Sequence, residues 1–429
     1  MIDNLYYAYL ASRRVTTDSR AITPGCLFFA FKGATFDGNS FAPQALEQGA
    51  ALCVISDERY KVDERCIVVP DVLATLQELA REHRRHLTIP IVGITGTNGK
   101  TTTKELIHAV LAKRYKTSAT AGNFNNHLGV PLTLLSIPAD TQVAIVEMGA
   151  NHPGEIAFLC GIADPDCGLI TNVGRAHLEG FGSFEGVIQT KTELYRHLAA
   201  KDGLVFVNAD NPYLMPIAQT LAHRITYGNG VGANIRGTYV GSAPYMHFYF
   251  EVGDNVYNVH SHLLGAYNFD NAMAAVTVGL HFGVEPFDIK EAIEQYVPAN
   301  QRSQWKQTAN NNLYLDCYNA NPSSMAAAIK AFADIDAPHK AAIIGAMREL
   351  GAASRDEHQQ LVDALAQCHL DNCLLIGPEF EGITLAHNMK HVNTTEEAAA
   401  MLKEWCPKGY TILVKGSNSN RLWTLEELL

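Results

Sequence analysis

The chain has 429 residues, too many for one hydrophobic core, and its length predicts about three domains. Its 47% hydrophobic and 18% charged residues are those of a globular enzyme, and a net charge of −11 excludes nucleic acid or an anionic membrane as the main partner, since both need a basic surface. Anionic substrates must then be met by local features such as helix N-termini and single arginines. The nine cysteines show no CxxC pair and no metal-ligand spacing, so they read as reduced thiols, with Cys26, Cys53, Cys66 and Cys160 in core positions. The first residues, MIDNLYYAYLASRR, lack a basic stretch ahead of an apolar one, and no run reaches the roughly 20 apolar residues of a membrane helix. A cytoplasmic protein with no membrane span is expected.

Residues 1–85 alternate short strands (27–31, 51–55, 66–69) with helices (41–48, 72–85), which predicts a small α/β unit. The basic run Arg81–Arg85 is expected to be a solvated helix end. Residues 86–299 open on an apolar strand, 89–94, which breaks into Gly96-Thr97-Asn98-Gly99-Lys100-Thr101-Thr102 and then a helix. Further apolar runs at 143–148, 168–173 and 204–208 predict a mostly parallel sheet, and the alternating stretch 234–263 predicts an antiparallel ribbon on its edge. A helix over 268–282 closes this segment. From residue 300 the alternation restarts: strands 313–316, 341–345, 374–376 and 411–414, and helices 323–333, 356–369 and 395–405. This predicts a doubly wound, Rossmann-like unit. It carries no intact GxGxxG after its first strand, so no dinucleotide is assigned to it.

The glycine-rich turn between strand and helix is a phosphate cradle. Its backbone N–H groups converge on one point, and the helix N-terminus adds partial positive charge. Lys100 can reach the terminal phosphates of a nucleotide, and the Thr101 hydroxyl can ligate magnesium. The common phosphate-loop pattern has a glycine where this chain has Ile94, so the strand–turn–helix setting and Lys-Thr-Thr at the helix start carry the assignment. In open α/β sheets ligands gather at the carboxyl ends of strands. Glu147 ends one such strand, His177 follows the next, and Lys191 lies just beyond; a carboxylate and an imidazole beside Thr101 suit magnesium holding nucleotide phosphates.

The segments GTNGKT, EMGANHPGEI, NVGRAHLEGFGS, KTELY, GAYNFDNAMAA and DCYNANPSSM resemble the Mur ligases of peptidoglycan synthesis, and the likeness runs from TTDSR (16–20) to KGS (415–417). The resemblance implies three α/β domains: a UDP-sugar domain over 1–85, a central ATP-binding domain over 86–299 and a Rossmann-like ligase domain over 300–429. It implies that Lys191 is carbamylated by CO2, which requires a neutral amine and hence a depressed lysine pKa. With Thr101, Glu147 and His177 it would hold two magnesium ions. It implies that Asn268 and Asn271 lie near adenine, that Arg302 faces the γ-phosphate and Asp316 the ribose, and that Tyr318, Asn319 and Asn321 border the same site. Lys100, Lys191, His177 and Arg302 are the implied catalytic groups. Ser19, Arg20, Lys32, Gly33, Asp37 and Gly38 are implied for the UDP-sugar, and Asn123, Asn125 and Asn126 for its peptide. His358 is placed either at substrate or ATP, or on a solvated helix face.

The activity implied is an ATP-dependent amide ligase acting through an acyl phosphate. YNANPSSM points to the branch that adds D-alanyl-D-alanine to UDP-N-acetylmuramoyl-tripeptide, in a monomer. The competing readings are a sibling ligase adding one amino acid, a phosphate-loop ATPase or kinase without ligation, and a nucleotide-binding scaffold. Three positions depart from the family pattern: Tyr267 stands where relatives have histidine, Asn418 where they often have arginine, and GAMREL replaces an acidic GDMLEL. Tyr267 is expected to alter stacking on adenine.

Overall fold

A computed structural model describes residues 2–242, 244–299 and 301–429; position 300, where the third expected segment begins, lies outside them. The chain forms three sheets in sequence order. The first is a four-stranded parallel sheet, Val15–Thr16, Leu27–Phe29, Leu52–Ile55 and Cys66–Val68.

The second sheet has nine strands, in the order Asn255–Leu264, Tyr245–Val252, Ile235–Ser242, Arg224–Gly228, Leu204–Asn208, Cys167–Ile170, Ile91–Thr95, Val143–Glu147 and Thr117–Ala119. The first two are antiparallel to their neighbours and make the expected ribbon; the rest are parallel. Ile94 is in register with both Glu147 and Leu169, so the phosphate loop leaves the sheet level with the ends of the two strands beside it.

The third sheet has six strands, in the order Gln304–Gln307, Asn312–Asp316, Thr411–Lys415, Lys340–Gly345, Asn372–Ile376 and Met389–Val392, with only the first antiparallel. Apolar side chains fill both faces of this sheet and of the nine-stranded one, the doubly wound layering that strands buried on two sides require.

Several elements lack a sequence signal: the helices Ile2–Ser12 and Pro286–Gln295, and the short strands Thr117–Ala119, Arg224–Gly228 and Gln304–Gln307. One expectation is corrected. The basic end of helix Val72–His86 is not solvated throughout: His83 and Arg84 are buried. Arg84 donates to the carbonyls of Ala163 and Asp164 and pairs with Asp166 at 2.9 Å, because the helix packs against the nine-stranded sheet's own helices. Leu76, Leu79 and Ala80 of this helix share one apolar cluster with Ile91, Val130 and Leu159. Among the described residues no helix is long and apolar enough to cross a membrane.

Candidate functional site

The carboxyl ends of the second and third sheets face each other across a cleft of about 640 Å³. The phosphate loop forms its floor. Gly96 has φ 146°, and a Cβ there would stand 2.0 Å from Thr171 Oγ1; Gly99, at φ 76°, precedes helix Lys100–Leu111 and packs on the Asn271 side chain. Only glycine fits the two positions. The end of the neighbouring strand clamps the loop: Asn98 N donates to Asn172 Oδ1 at 3.0 Å, and Thr171 Oγ1 donates to Asn98 O at 2.6 Å.

Lys100 curls back, its Nζ donating to the carbonyls of Gly96 (2.9 Å) and Thr97 (3.1 Å). Burial lowers its pKa; Glu147 opposes the shift and Arg302 adds to it. Glu147 ends its strand 1% exposed. Its Oε1 accepts from Asn125 Nδ2 at 2.8 Å and, more weakly, from Thr101 Oγ1 at 3.4 Å, while Oε2 has no partner. A carboxylate oxygen left bare in a polar cleft beside a hydroxyl is what a hard cation needs, so Glu147 and Thr101 fit magnesium.

His177 also lines the cleft, with a left-handed backbone (φ 50°) ahead of the short helix Leu178–Phe181. Burial lowers its pKa, against the pull of Glu349, whose carboxylate contacts Nδ1. Lys191 lies behind the wall, 2% exposed; its Nζ donates to Ala150 O at 3.3 Å and sits 5.5 Å from the centre of the Phe181 ring. Burial, with the Lys100 charge adding, holds this amine well below the ordinary lysine range. Among the described residues no three His, Cys, Asp or Glu side chains converge as a ready-made metal centre. Glu147 and His177 would therefore act with a hydroxyl, phosphate oxygens or a modified Lys191.

The third sheet supplies the opposite wall. Arg302 stacks on Tyr318, its guanidinium carbon 3.7 Å from the ring centre. Asp316 is held from both sides: Oδ2 accepts from the buried Lys415 Nζ at 2.6 Å and Oδ1 from Ser303 N at 3.3 Å. Lys415 also donates to Asn319 O at 3.2 Å. Asn268 and Asn271 bond each other at 2.8 Å, and Thr103 Oγ1 donates to Asn271 Oδ1 at 3.0 Å, so this pair braces the phosphate-loop helix as well as lining the cleft.

Most expected residues meet here: Thr97 to Thr102, Asn123, Asn125, Asn126, Glu147, His177, Asn268, Asn271, Arg302, Asp316, Tyr318 and Asn319. Asn321 stands just outside the lining, bonded to Asn98. The residues expected for the UDP-sugar are not part of the cleft. Arg20 is exposed and pairs with Asp18 at 2.8 Å, and Lys32 and Asp37 form a separate β-bridge. His358 belongs neither at substrate nor in solvent. It is fully buried, accepts from Met347 N at 3.1 Å through Nε2 and donates from Nδ1 to Ser354 O at 2.7 Å, holding the loop after strand Lys340–Gly345. Tyr267 does not simply take the place of a stacking ring: its hydroxyl bonds Ser303 at 2.7 Å and Tyr314, tying the second sheet's segment to the third. Lys415 and Ser323 also line the cleft and were not among the expected site residues; Lys415 ends an apolar strand and opens the KGS segment of the family likeness.

Three family models match the chain in succession: "Mur ligase family, catalytic domain" over residues 13–84, "Mur ligase middle domain" over 94–279 and "Mur ligase, glutamate ligase domain" over 301–418. The UDP-N-acetylmuramoyl-tripeptide–D-alanyl-D-alanine ligase of Bacillus subtilis is 34% identical over 98% of this chain and 93% of its own length. The Escherichia coli enzyme of the same name is 34% identical over 94% and 91%. Among solved structures, MurF from Acinetobacter baumannii superposes with a TM-score of 0.86 at 32% identity, covering 96% of this chain and 92% of that one. MurF from Thermotoga maritima in complex with ADP gives a TM-score of 0.86 at 29% identity, covering 98% and 97%. The sequence, the three sheets and the clamped phosphate loop agree: this chain belongs to the Mur ligase family.

Proposed function

We propose that this protein is an ATP-dependent ligase that joins D-alanyl-D-alanine to UDP-N-acetylmuramoyl-tripeptide, a cytoplasmic step of peptidoglycan synthesis, and that it works as a monomer. The reading rests on a phosphate loop with a bare buried carboxylate, Glu147, facing Arg302 and Asp316 of another sheet across one cleft. The relatives named for this reaction, matched along nearly the whole chain, support the choice of substrates. Three successive sheets support a division into domains over 1–85, 86–299 and 300–429.

The terminal carboxylate of the tripeptide attacks the γ-phosphorus of ATP; the bond to the β,γ-bridging oxygen breaks, leaving ADP and an acyl phosphate. The amine of the dipeptide then attacks the acyl carbon, phosphate departs, and the amide forms. Phosphoryl transfer asks the protein mainly for alignment and charge neutralisation. Lys100, turning from its loop carbonyls, and Arg302 on the third sheet's wall would meet the phosphates, and Asp316, fixed by Lys415, would take the ribose hydroxyls. Two magnesium ions would neutralise phosphate oxygens there, with Thr101, Glu147, His177 and carbamylated Lys191 as the groups that would hold them. Asn123, Asn125 and Asn126 border the side from which the tripeptide enters, and Tyr318, Asn319 and Asn321 the side of the dipeptide. The residues from Ser19 to Gly38, away from the cleft, suit the distant UDP end of a long substrate.

The test is phosphate release by purified protein with ATP, magnesium and UDP-muramoyl-tripeptide, followed with and without D-alanyl-D-alanine. Release that depends on the dipeptide, with the pentapeptide product found by mass spectrometry, is expected. Release indifferent to the dipeptide would remove the ligase reading in favour of a plain ATPase.

A further inference from the structure

The third sheet does more than close over the cleft. Its loop after strand Lys340–Gly345 reaches the segment that carries His177, and Glu349 in that loop puts its carboxylate on His177 Nδ1. Both residues have left-handed backbones, φ 50° for His177 and φ 60° for Glu349, a conformation that costs free energy and persists only where the surroundings impose it. The surroundings do so here. Arg175 pairs with Glu357 at 2.8 Å, Arg175 N donates to Ser323 Oγ at 2.9 Å, and Gly351 packs on the side chain of Glu179. Buried His358 holds the loop from within through Met347 N. Of these cross-sheet contacts, the one from Glu349 touches a residue that the proposed function places among the cation ligands, and Glu349 itself does not line the cleft.

We propose that Glu349 is a positioning residue for His177. By accepting a hydrogen bond from Nδ1–H it fixes the tautomer and leaves the lone pair on Nε2, the nitrogen then free to ligate a cation. A carboxylate behind a metal-binding imidazole orients the ring and raises its basicity. Here that carboxylate comes from the other lobe, so cation binding at His177 is strong only when the third sheet is docked. Closure and metal loading are thereby one event. The inference rests on the proposed cation site.

The experiment titrates Mn2+ into the full-length protein in the presence of a non-hydrolysable ATP analogue, with bound Mn2+ read by electron paramagnetic resonance and docking by small-angle X-ray scattering. Glu349→Ala is expected to weaken Mn2+ binding by about 10- to 100-fold. Glu349→Gln keeps an acceptor and is expected to lose less. His177→Ala should lose as much as Glu349→Ala, and the double variant should lose no more than either alone. Glu349→Ala with wild-type Mn2+ affinity, whether or not its scattering or melting changes, would leave Glu349 a mere interdomain contact and overturn the inference, as would additive losses. If neither His177→Ala nor Glu147→Gln alters Mn2+ binding, the cation site itself fails, a result distinct from failure at Glu349 alone.

Discussion

Asn98 of the phosphate loop and Asn321 at the start of helix Pro322–Ala333 share an amide contact across the cleft: Asn321 Nδ2 donates to Asn98 Oδ1 at 2.8 Å. The same Asn321 caps its helix, its Oδ1 accepting from Ser324 N at 2.9 Å. One side chain thus serves helix stability and lobe docking at once.

The two roles separate by substitution. Asn321→Ser keeps a capping oxygen and removes the amide, so its melting temperature should stay close to wild type while KM for ATP rises several-fold. Asn321→Ala loses the cap as well and should cost about 1 kcal/mol of stability, read by urea denaturation. Equal stability loss in the two variants would refute the division.

Glu147 holds a buried oxygen that no donor satisfies. Glu147→Gln should lower kcat by on the order of a hundred- to a thousand-fold. It should also leave the free protein as stable or about 1 kcal/mol more stable, because a buried carboxylate with one oxygen lacking any donor is removed. Thermal unfolding without nucleotide checks this; a marked loss of stability would mean that Glu147 is a structural residue.

Lys191 sits in a pocket that favours its neutral form, the form that reacts with CO2. Wild-type protein stripped of CO2 should lose turnover and regain it on addition of bicarbonate. Lys191→Ala should be nearly inactive and indifferent to bicarbonate. A carbamate carbon signal from 13C-bicarbonate, present in wild type and missing in the variant, gives a readout independent of activity.

His83 is buried between Tyr6 and Tyr9 with Nε2 unpartnered, and burial pushes its pKa down to about 4. The folded value is below the unfolded one, near 6.5, so the unfolded chain takes up the proton first as pH falls. Stability contributed by the neutral ring is whole above pH 6.5 and drains away towards pH 4, by up to about 3 kcal/mol. Asp270, pushed up to about 6 mainly by burial, runs the other way over an overlapping range. The stability difference between wild type and His83→Leu, measured by urea denaturation from pH 7 to 4, should therefore move in favour of the variant as pH falls; a constant difference would remove His83 as a source of acid sensitivity.

The phosphate loop and its sheet were legible because a long apolar strand, glycine punctuation and helical spacing coincide within fifteen or so residues, all local signals. Glu147, His177 and Arg302 were legible as strand-end or loop groups whose residue types match the family pattern. Lys415 was not, because its meaning lies in Asp316, 99 residues away in the chain. Arg84 and His358 are misleading in the sequence for a related reason. Polar side chains at helical spacing look solvated until the chain brings Asp166 to one and Met347 to the other. Short strands such as Thr117–Ala119 at a sheet edge carry too few apolar residues to stand out from a loop.

Helix Val72–His86 contributes Leu76, Leu79 and Ala80 to the same apolar mass as Ile91 and Val130. A fragment ending near residue 86 would carry that greasy flank naked into water and be prone to self-association. Severing the polypeptide at this seam would thus sacrifice both pieces.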